Sequence, residues 1–237
     1  DQLDAALLRQ LAGYGVKLIA LRSAGHNNLD LAAAQELGLA AVYVPAYTPH
    51  AVAEHVFALA LSLSRYVPRA FDRVRQGNFD IDGLIGTLLA GRTFGVVGLG
   101  RIGKVVAGIA DAFGCKVVYC DHHDAGQPRW QRLALDELVS TSHVVSLHVP
   151  LNDGTRGLMD ARRLALMPDG ALLVNTSRGP VVDTQALIAE LKRDRLGGGR
   201  FHHGRRSSRA IGIRQHGPDR CWQLRRDLRP PLRTALI

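Results

Sequence analysis

Cysteine is scarce in this chain, three residues in 237, and that excludes a disulfide-stapled fold. Cys115 and Cys120 stand five apart, so on one strand they face opposite sides and make poor co-ligands for a metal; Cys221 stands alone. No metal site is expected, and the low cysteine usage fits a reducing, cytoplasmic compartment. Long apolar runs are missing too. None reaches 18 uncharged residues, so no membrane span or membrane partner is expected. The opening Asp1-Gln2-Leu3-Asp4 has neither a basic segment nor an apolar core, so no signal peptide is expected; the lack of an initiator Met points to a missing start.

Excess positive charge is absent from most of the sequence despite a net charge of +9. Residues 200–237 hold ten arginines against Asp219 and Asp227, a balance of +8, so residues 1–199 carry about +1. The body is nearly neutral, and no specific nucleic-acid partner is expected of it. The arginine-rich stretch shows no period-2 or period-3.6 apolar pattern and has one Trp. It reads as disordered, or as other than native coding sequence, and supports at most nonspecific attraction to nucleic acid.

What is present is a core-forming composition, 46% hydrophobic, enough for one large or two modest domains. The organising stretch is 94–121. Phe94 to Val97 reads as a buried strand, Gly98, Gly100 and Gly103 fit G-x-G-x-x-G, Arg101 to Phe113 has helical spacing, and Lys116 to Cys120 is a second strand ending in Asp121. In such a unit the first glycine allows the tight turn, the second lets a pyrophosphate approach the backbone, and the third lets helix and strand pack. An acidic residue about 20 positions on accepts from a ribose 2′-OH and repels a 2′-phosphate. Asp121 is followed by His122-His123 rather than an arginine pair, so the cofactor expected is NAD rather than NADP. The plain alternative is a glycine-rich turn in some other α/β protein.

Around this unit, residues 3–12 and 29–37 suit helices, and 16–21 and 41–44 strands. Arg22 to Asn28 is a small-residue turn that either offers N–H groups to an anion or merely joins strand to helix. Thr48 and Pro49 start a helix running to about Val67. It is apolar nearly all round and hence expected to be buried; Glu54 and His55 could form an acid–base pair, but about 100° apart on the helix they read rather as a satisfied core or interface pair. A more polar helix leads to Gly77-Asn78, and 78–93 form a loop or short helix. Helices are expected at 135–139, 159–167 and 184–192, the last capped by Asp183, and strands at 143–149 and 171–174. The alternation predicts an α/β fold with a doubly wound parallel sheet. Gly98, Asp121, His148 and Ser177-Arg178 then fall at strand C-termini, where ligands gather. Arg178 there can grip a carboxylate in bidentate fashion and polarise a carbonyl, or be a surface Arg in a tight turn.

Several stretches in order carry a family resemblance: Leu21 to Asn28, Val44 to Pro49 with Ala53-Glu54-His55, Gly77-Asn78-Phe79, Gly98 to Gly103, His148 to Leu151, and Asn175 to Gly179. With these, residues 1–198 resemble the D-isomer-specific 2-hydroxyacid dehydrogenases, most of all their D-lactate branch. The resemblance implies part of a flavodoxin-like substrate domain at 1–47, an NAD-binding Rossmann domain at 48–199, and a tail at 200–237 outside the family pattern. It implies an enzyme transferring hydride between NADH and a 2-keto acid, pyruvate first, with a His–Glu pair supplying the proton. It also implies a homodimer through the helix at 49–67. By position, Arg178 matches the Arg that binds substrate carboxylate and carbonyl. Ala24 and Gly25 match a loop whose backbone holds the carboxylate, and Tyr47 a tyrosine that reaches the substrate. Arg101, Ile102 and Asp121 match cofactor contacts, as do Val149, Pro150, Thr155, Thr176 and Ser177, with His148 beside them.

The departures begin after Gly198. The family continues with an apolar strand, an Asp, an aromatic, Glu-Pro and later a His. None of these has a counterpart here, and His202, His203 and His216 stand in the wrong context. A frame shift near residue 199 is the reading, with weakened NAD binding and little or no turnover expected. A non-catalytic NAD-sensing corepressor is the alternative from the same fold; Tyr47 and His26-Asn27-Asn28 favour the lactate branch.

Overall fold

The computed structural model describes residues 2–23, 25–45, 48–123, 126 and 128–196; Ala24, Tyr47, Cys221 and the arginine-rich 200–237 lie outside the described residues. Two compact units divide what is described. The smaller takes 2–19 and 28–42; the larger takes 20–27 and everything from 43 on.

In the smaller unit, α1 (Ala5–Gly13) starts where the Asp4 carboxylate accepts from the Leu7 N–H at 2.9 Å, and it buries Leu8. Helix α2 (Leu31–Glu36) repeats the device: Asp30 accepts from Ala33 at 3.0 Å, and Ala33 and Ala34 face inward. These side-chain caps satisfy amides that a helix start leaves without partners. Strands β1 (Leu18–Leu21) and β2 (Ala40–Tyr43) pair as a two-stranded sheet.

The larger unit begins its helices with α3 (Pro49–Ser64) and α4 (Val67–Arg75). Thr48 is the N-cap of α3 with Pro49 at the first position, but its hydroxyl makes no capping bond. The alternation then runs β3 (Thr93–Val97), α5 (Arg101–Ala112), β4 (Lys116–Cys120), β5 (Gln131–Arg132), α6 (Leu135–Thr141), β6 (Val144–Leu147), α7 (Ala161–Leu166), β7 (Leu172–Asn175), a short 3-10 turn (Gly179–Val181) and α8 (Thr184–Lys192). The strands form one parallel sheet in the order β5-β4-β3-β6-β7. This is the doubly wound order of nucleotide-binding sheets.

Side chains alternate across this sheet, and both faces are covered. On one face Phe94, Val96, Val117, Tyr119 and Val174 pack with α3 and α5. On the other Val97, Val118, Val145 and Leu147 pack with α6, α7 and Met159. Phe57 of α3 lies between Phe94 and Phe113, with ring centroids 5.5 and 5.2 Å away. Cys115 and Cys120 fall on opposite faces, as their odd spacing requires.

Three expectations need correction. Helix α3 is buried along one stripe only, through Ala53, Val56, Phe57, Ala60 and Ser64, while Ala51, Glu54, His55 and Ala58 are exposed. The helix is apolar in sequence on most sides, and Leu59, Leu61 and Leu63 are half-buried against the same core, but the fully buried stripe is the one carrying Val56 and Phe57. Glu54 and His55 are therefore not core residues. Strand β5 carries no sequence signal, because its two residues are polar and form no pattern. Helix α7 starts later than expected: Met159 bridges to Val182, and Asp160 caps the helix by accepting from Arg163 at 2.8 Å.

Candidate cofactor and substrate site

All strands of the larger sheet point the same way, so their C-terminal ends share one edge. Val97 is in register with Cys120 and Leu147, and Leu147 with Asn175. Gly98, Asp121, His148 and Thr176 each come one residue later and stand in a row along that edge. The strand order reverses beside β3, and such a reversal opens the crevice where α/β sheets bind ligands.

The glycines shape the crevice. Gly98 has φ +92°, a left-handed conformation that favours glycine, and a Cβ there would lie 2.9 Å from the His148 carbonyl. A Cβ on Gly103 would run into the Gly98 carbonyl oxygen, so α5 sits directly under the turn. A Cβ on Gly100 would meet nothing within 4 Å. Gly100 is also the N-cap of α5; it brings no side chain to the first-turn amides, and no acidic residue stands in that turn. The helix start at Arg101, Ile102 and Gly103 thus presents N–H donors and the positive dipole end to open space, which suits an anion. Arg101 reaches the Pro45 carbonyl at 3.4 Å.

Asp121 closes the crevice on one side. Its Oδ2 accepts from the Leu99 N–H at 2.6 Å and its Oδ1 from the His123 N–H at 3.1 Å. A carboxylate offers about four acceptor positions, so each oxygen keeps capacity for a further donor. Beside it lies an open cleft of about 350 Å³ lined by Cys120, Asp121, Arg132, Leu133 and Ala134. Burial pushes the Cys120 thiol up, so the cleft carries no thiolate at neutral pH.

On the other side, His148 Nε2 shares a hydrogen bond of 2.9 Å with the buried Ser146 hydroxyl. Burial pushes its imidazole down to about 4, which leaves it neutral at physiological pH. Val149 is half-buried, and Pro150 is exposed. Thr155 is 3% exposed, and its hydroxyl is committed within its own loop, accepting from the Asn152 N–H at 2.9 Å and donating to the Pro150 carbonyl. The Thr176 hydroxyl is buried without a hydrogen-bond partner among the described residues.

Asn175, which the sequence reading passed over, builds the next turn. Its Oδ1 accepts from the Ser177 amide at 3.0 Å and the Ser177 hydroxyl at 2.7 Å, and its Nδ2 donates to the Arg178 carbonyl at 2.9 Å. Arg178 follows at the turn's end. It donates from Nη1 to the Ser177 carbonyl at 2.9 Å and from Nε to Asn27 Oδ1 at 3.3 Å. Gly25 lies so close to the guanidinium that any Cβ would collide with it. The structure therefore brings Gly25 and Arg178 together. Ala24 and Tyr47 lie outside the described residues. Among those described, no group of His, Cys, Asp and Glu is placed to hold a metal ion, and no helix is long and apolar enough to cross a membrane.

The residues fit a dinucleotide on three counts: open space over Gly100, an uncapped helix start beneath it, and a carboxylate at the end of the second strand with acceptors to spare. Fold and site together define a Rossmann-type dinucleotide-binding domain. Known proteins narrow this further. Residues 57–200 match the D-isomer-specific 2-hydroxyacid dehydrogenase NAD-binding domain. The 2-hydroxyacid dehydrogenase A of Aspergillus oryzae is 48% identical over 200 residues, which cover 84% of this chain and 58% of that protein. The D-lactate dehydrogenase of Escherichia coli is 42% identical over 83% of this chain and 61% of its own length. The apo structure of Escherichia coli D-lactate dehydrogenase superposes with a TM-score of 0.78, at 42% identity, over 83% of this chain and 63% of that one. The Aquifex aeolicus D-lactate dehydrogenase, complexed with NAD and lactic acid, gives 0.74 at 39% identity, over 84% of this chain and 60% of that one. The chain belongs to the D-isomer-specific 2-hydroxyacid dehydrogenase family. It spans about three-fifths of the length of these relatives.

Proposed function

We propose that this chain is an NAD-dependent dehydrogenase of D-2-hydroxy acids, with pyruvate and D-lactate as the substrate pair. The observation that carries this reading is Arg178, held against Gly25 and Asn27 just beyond the edge where Gly98, Asp121, His148 and Thr176 line up. The names of the Escherichia coli and Aquifex aeolicus relatives support the lactate assignment. Residues 1–47 would belong to the substrate half and 48–199 to the nucleotide half.

In this reading the amides at Arg101, Ile102 and Gly103 hold the pyrophosphate, and Asp121 accepts from the adenosine ribose. Val149, Pro150, Thr176 and Ser177 line the nicotinamide end, with Thr155 bracing the Pro150 carbonyl and His148 neutral behind them. NADH supplies the hydride. Arg178 pairs with the substrate carboxylate and polarises the carbonyl that receives the hydride. The backbone at Ala24 and Gly25 and the Tyr47 hydroxyl complete the substrate grip. The sequence after residue 199 holds no counterpart of the family's proton-donating His–Glu pair, and losing a positioned proton donor lowers rates about 10²–10⁴-fold.

A homodimer and a cytoplasmic location complete the proposal. Large apolar side chains stand exposed at Val67, Phe71, Val74, Phe79, Ile81, Ile85 and Leu88. Arg73 ties the segment after α4 to that helix, donating to the Asp80 and Asp82 carbonyls, both at 2.8 Å. A second copy covering these side chains, with the exposed side of α3, would remove them from water.

The test is a titration of the purified chain with NADH, followed by addition of pyruvate. Saturable NADH binding with slow pyruvate-dependent oxidation supports the proposal. Failure to bind NADH, or oxidation independent of any 2-keto acid, overturns it.

A further inference from the structure

Arg132 belongs to no motif, yet it faces the same turn as the candidate ribose carboxylate. It sits on the two-residue edge strand β5, whose parallel pairing places it beside Tyr119, two residues before Asp121. Its Nη2 donates to the Asp121 carbonyl at 2.8 Å and to the His122 carbonyl at 3.3 Å. The N–H of Leu99, in the glycine turn after β3, and the N–H of His123 hold the Asp121 carboxylate at 2.6 and 3.1 Å. The side chain of Asp121 is thus fixed by two amides, and its backbone by one guanidinium. Arg132 also lines the cleft that Asp121 lines.

We propose that Arg132 is the positioning residue for Asp121. It clamps the carbonyls of the 121–122 peptides so that the carboxylate holds its orientation and keeps an acceptor free on each oxygen. The guanidinium acts on the nucleotide only through that carboxylate. This rests on the dinucleotide reading of the site. A charged donor bridging two carbonyls suits the task, because such bonds are stronger than neutral ones. Both bonds leave the single nitrogen Nη2, so lysine can reproduce the charge and the double donation, but its flexible stem and tetrahedral head do not hold that nitrogen at the same reach and angle. Partial rescue by lysine is therefore a signature of the role.

The experiment is a calorimetric titration of NADH and of NADPH into the unaltered chain, Arg132→Ala, Arg132→Lys, Asp121→Ala and the double variant, with thermal midpoints alongside. Losing one such positioning bond is expected to weaken NADH binding about tenfold in Arg132→Ala and less in Arg132→Lys. The preference for NADH over NADPH should shrink in step. In the Asp121→Ala background, Arg132→Ala should cost nothing further, since coupled residues are non-additive. Equal NADH affinity in Arg132→Ala and the unaltered chain overturns the inference and leaves the nucleotide reading intact. So does a full additional loss in the double variant, which would mean direct contact with cofactor or a general structural role. No NADH binding by the unaltered chain overturns both. Should Arg132→Ala fail to fold, Arg132→Lys is read against Arg132→Gln, and equal affinities there contradict the role.

Discussion

The Leu99 amide donates to Asp121 Oδ2 across 2.6 Å, and that bond ties the glycine turn after β3 to the end of β4. The carboxylate therefore has two tasks. It braces the loop that would cradle the pyrophosphate, and in the proposed function it would present acceptors to a ribose. Asp121→Ala should weaken NADH binding by about 1–3 kcal/mol, roughly five- to a hundredfold. It should weaken NADPH binding less, since the repulsion of a 2′-phosphate disappears with the carboxylate. Fluorescence titrations with both nucleotides check this.

Two glycines in one helix should respond oppositely to alanine. At Gly103 the new Cβ meets the Gly98 carbonyl oxygen, a backbone atom that cannot swing aside. Gly103→Ala should cost about 1–3 kcal/mol. At Gly108, in the same helix, a Cβ meets nothing within 4 Å. Gly108→Ala should stabilise by about 0.5–1 kcal/mol through helix propensity and a less flexible unfolded chain. Urea unfolding of the two variants checks the contrast.

His148 predicts a pH dependence of stability. Its folded value lies near 4, pushed down by burial, against about 6.5 unfolded. As pH falls below 6.5 the unfolded chain takes up the proton first, so this stability is fully present above 6.5 and declines toward pH 4. The slope reaches at most about 1.4 kcal/mol per pH unit. His143, held down by burial and by Arg92, acts in the same direction. The difference between the unaltered chain and His148→Gln therefore isolates His148, and it should shrink steadily from pH 7 to pH 5.

Arg195 should matter for stability without touching the site. Its guanidinium donates to Glu190 at 2.6 Å, to Asp169 at 2.9 Å, and to the carbonyls of Leu164, Ala165 and Met167 at the end of α7. Glu190 is 5% exposed. Arg195→Ala strips a buried carboxylate of one partner and should cost about 3 kcal/mol. NADH affinity at a temperature where the variant stays folded should be unchanged.

The proposed homodimer would cover exposed apolar side chains between Val67 and Leu88. Phe79 is 76% and Ile85 88% exposed in the single chain. Replacing both by serine should shift sedimentation from dimer to monomer and leave the thermal midpoint of the monomer within about 1 °C, since neither side chain packs in its own core.

Sequence periodicity reveals an element when a short stretch carries its own instructions. The β3–α5–β4 unit reads correctly from residues 94–121 because buried parallel strands are continuous apolar runs and the glycines mark the turn between them. The facing of α3 is not legible the same way: Val, Leu and Ala recur on most of its sides, and only packing selects the side with Phe57. Strand β5 escapes notice because its pairing with β4 is long-range and its residues are Gln and Arg. Asn175 and Arg132 escape for a related reason. Their partners include the backbone of turns, which has no side-chain signature, so nothing in local spacing announces them. Arg178, by contrast, stands out as a charged residue just after an apolar strand, and its partner Asn27 lies in a turn already marked as unusual.

The account depends most on a pyrophosphate resting over Gly100. Since a Cβ there meets no atom of the described residues within 4 Å, Gly100→Ala costs the fold only the small N-cap preference for Gly over Ala and chiefly obstructs a ligand. Parallel NADH titrations of the two chains decide the matter. Saturable one-site binding by the unaltered chain, about tenfold weaker in Gly100→Ala at a temperature where both chains are folded, is the predicted result. Equal affinity in both, or no binding by the unaltered chain, would contradict it.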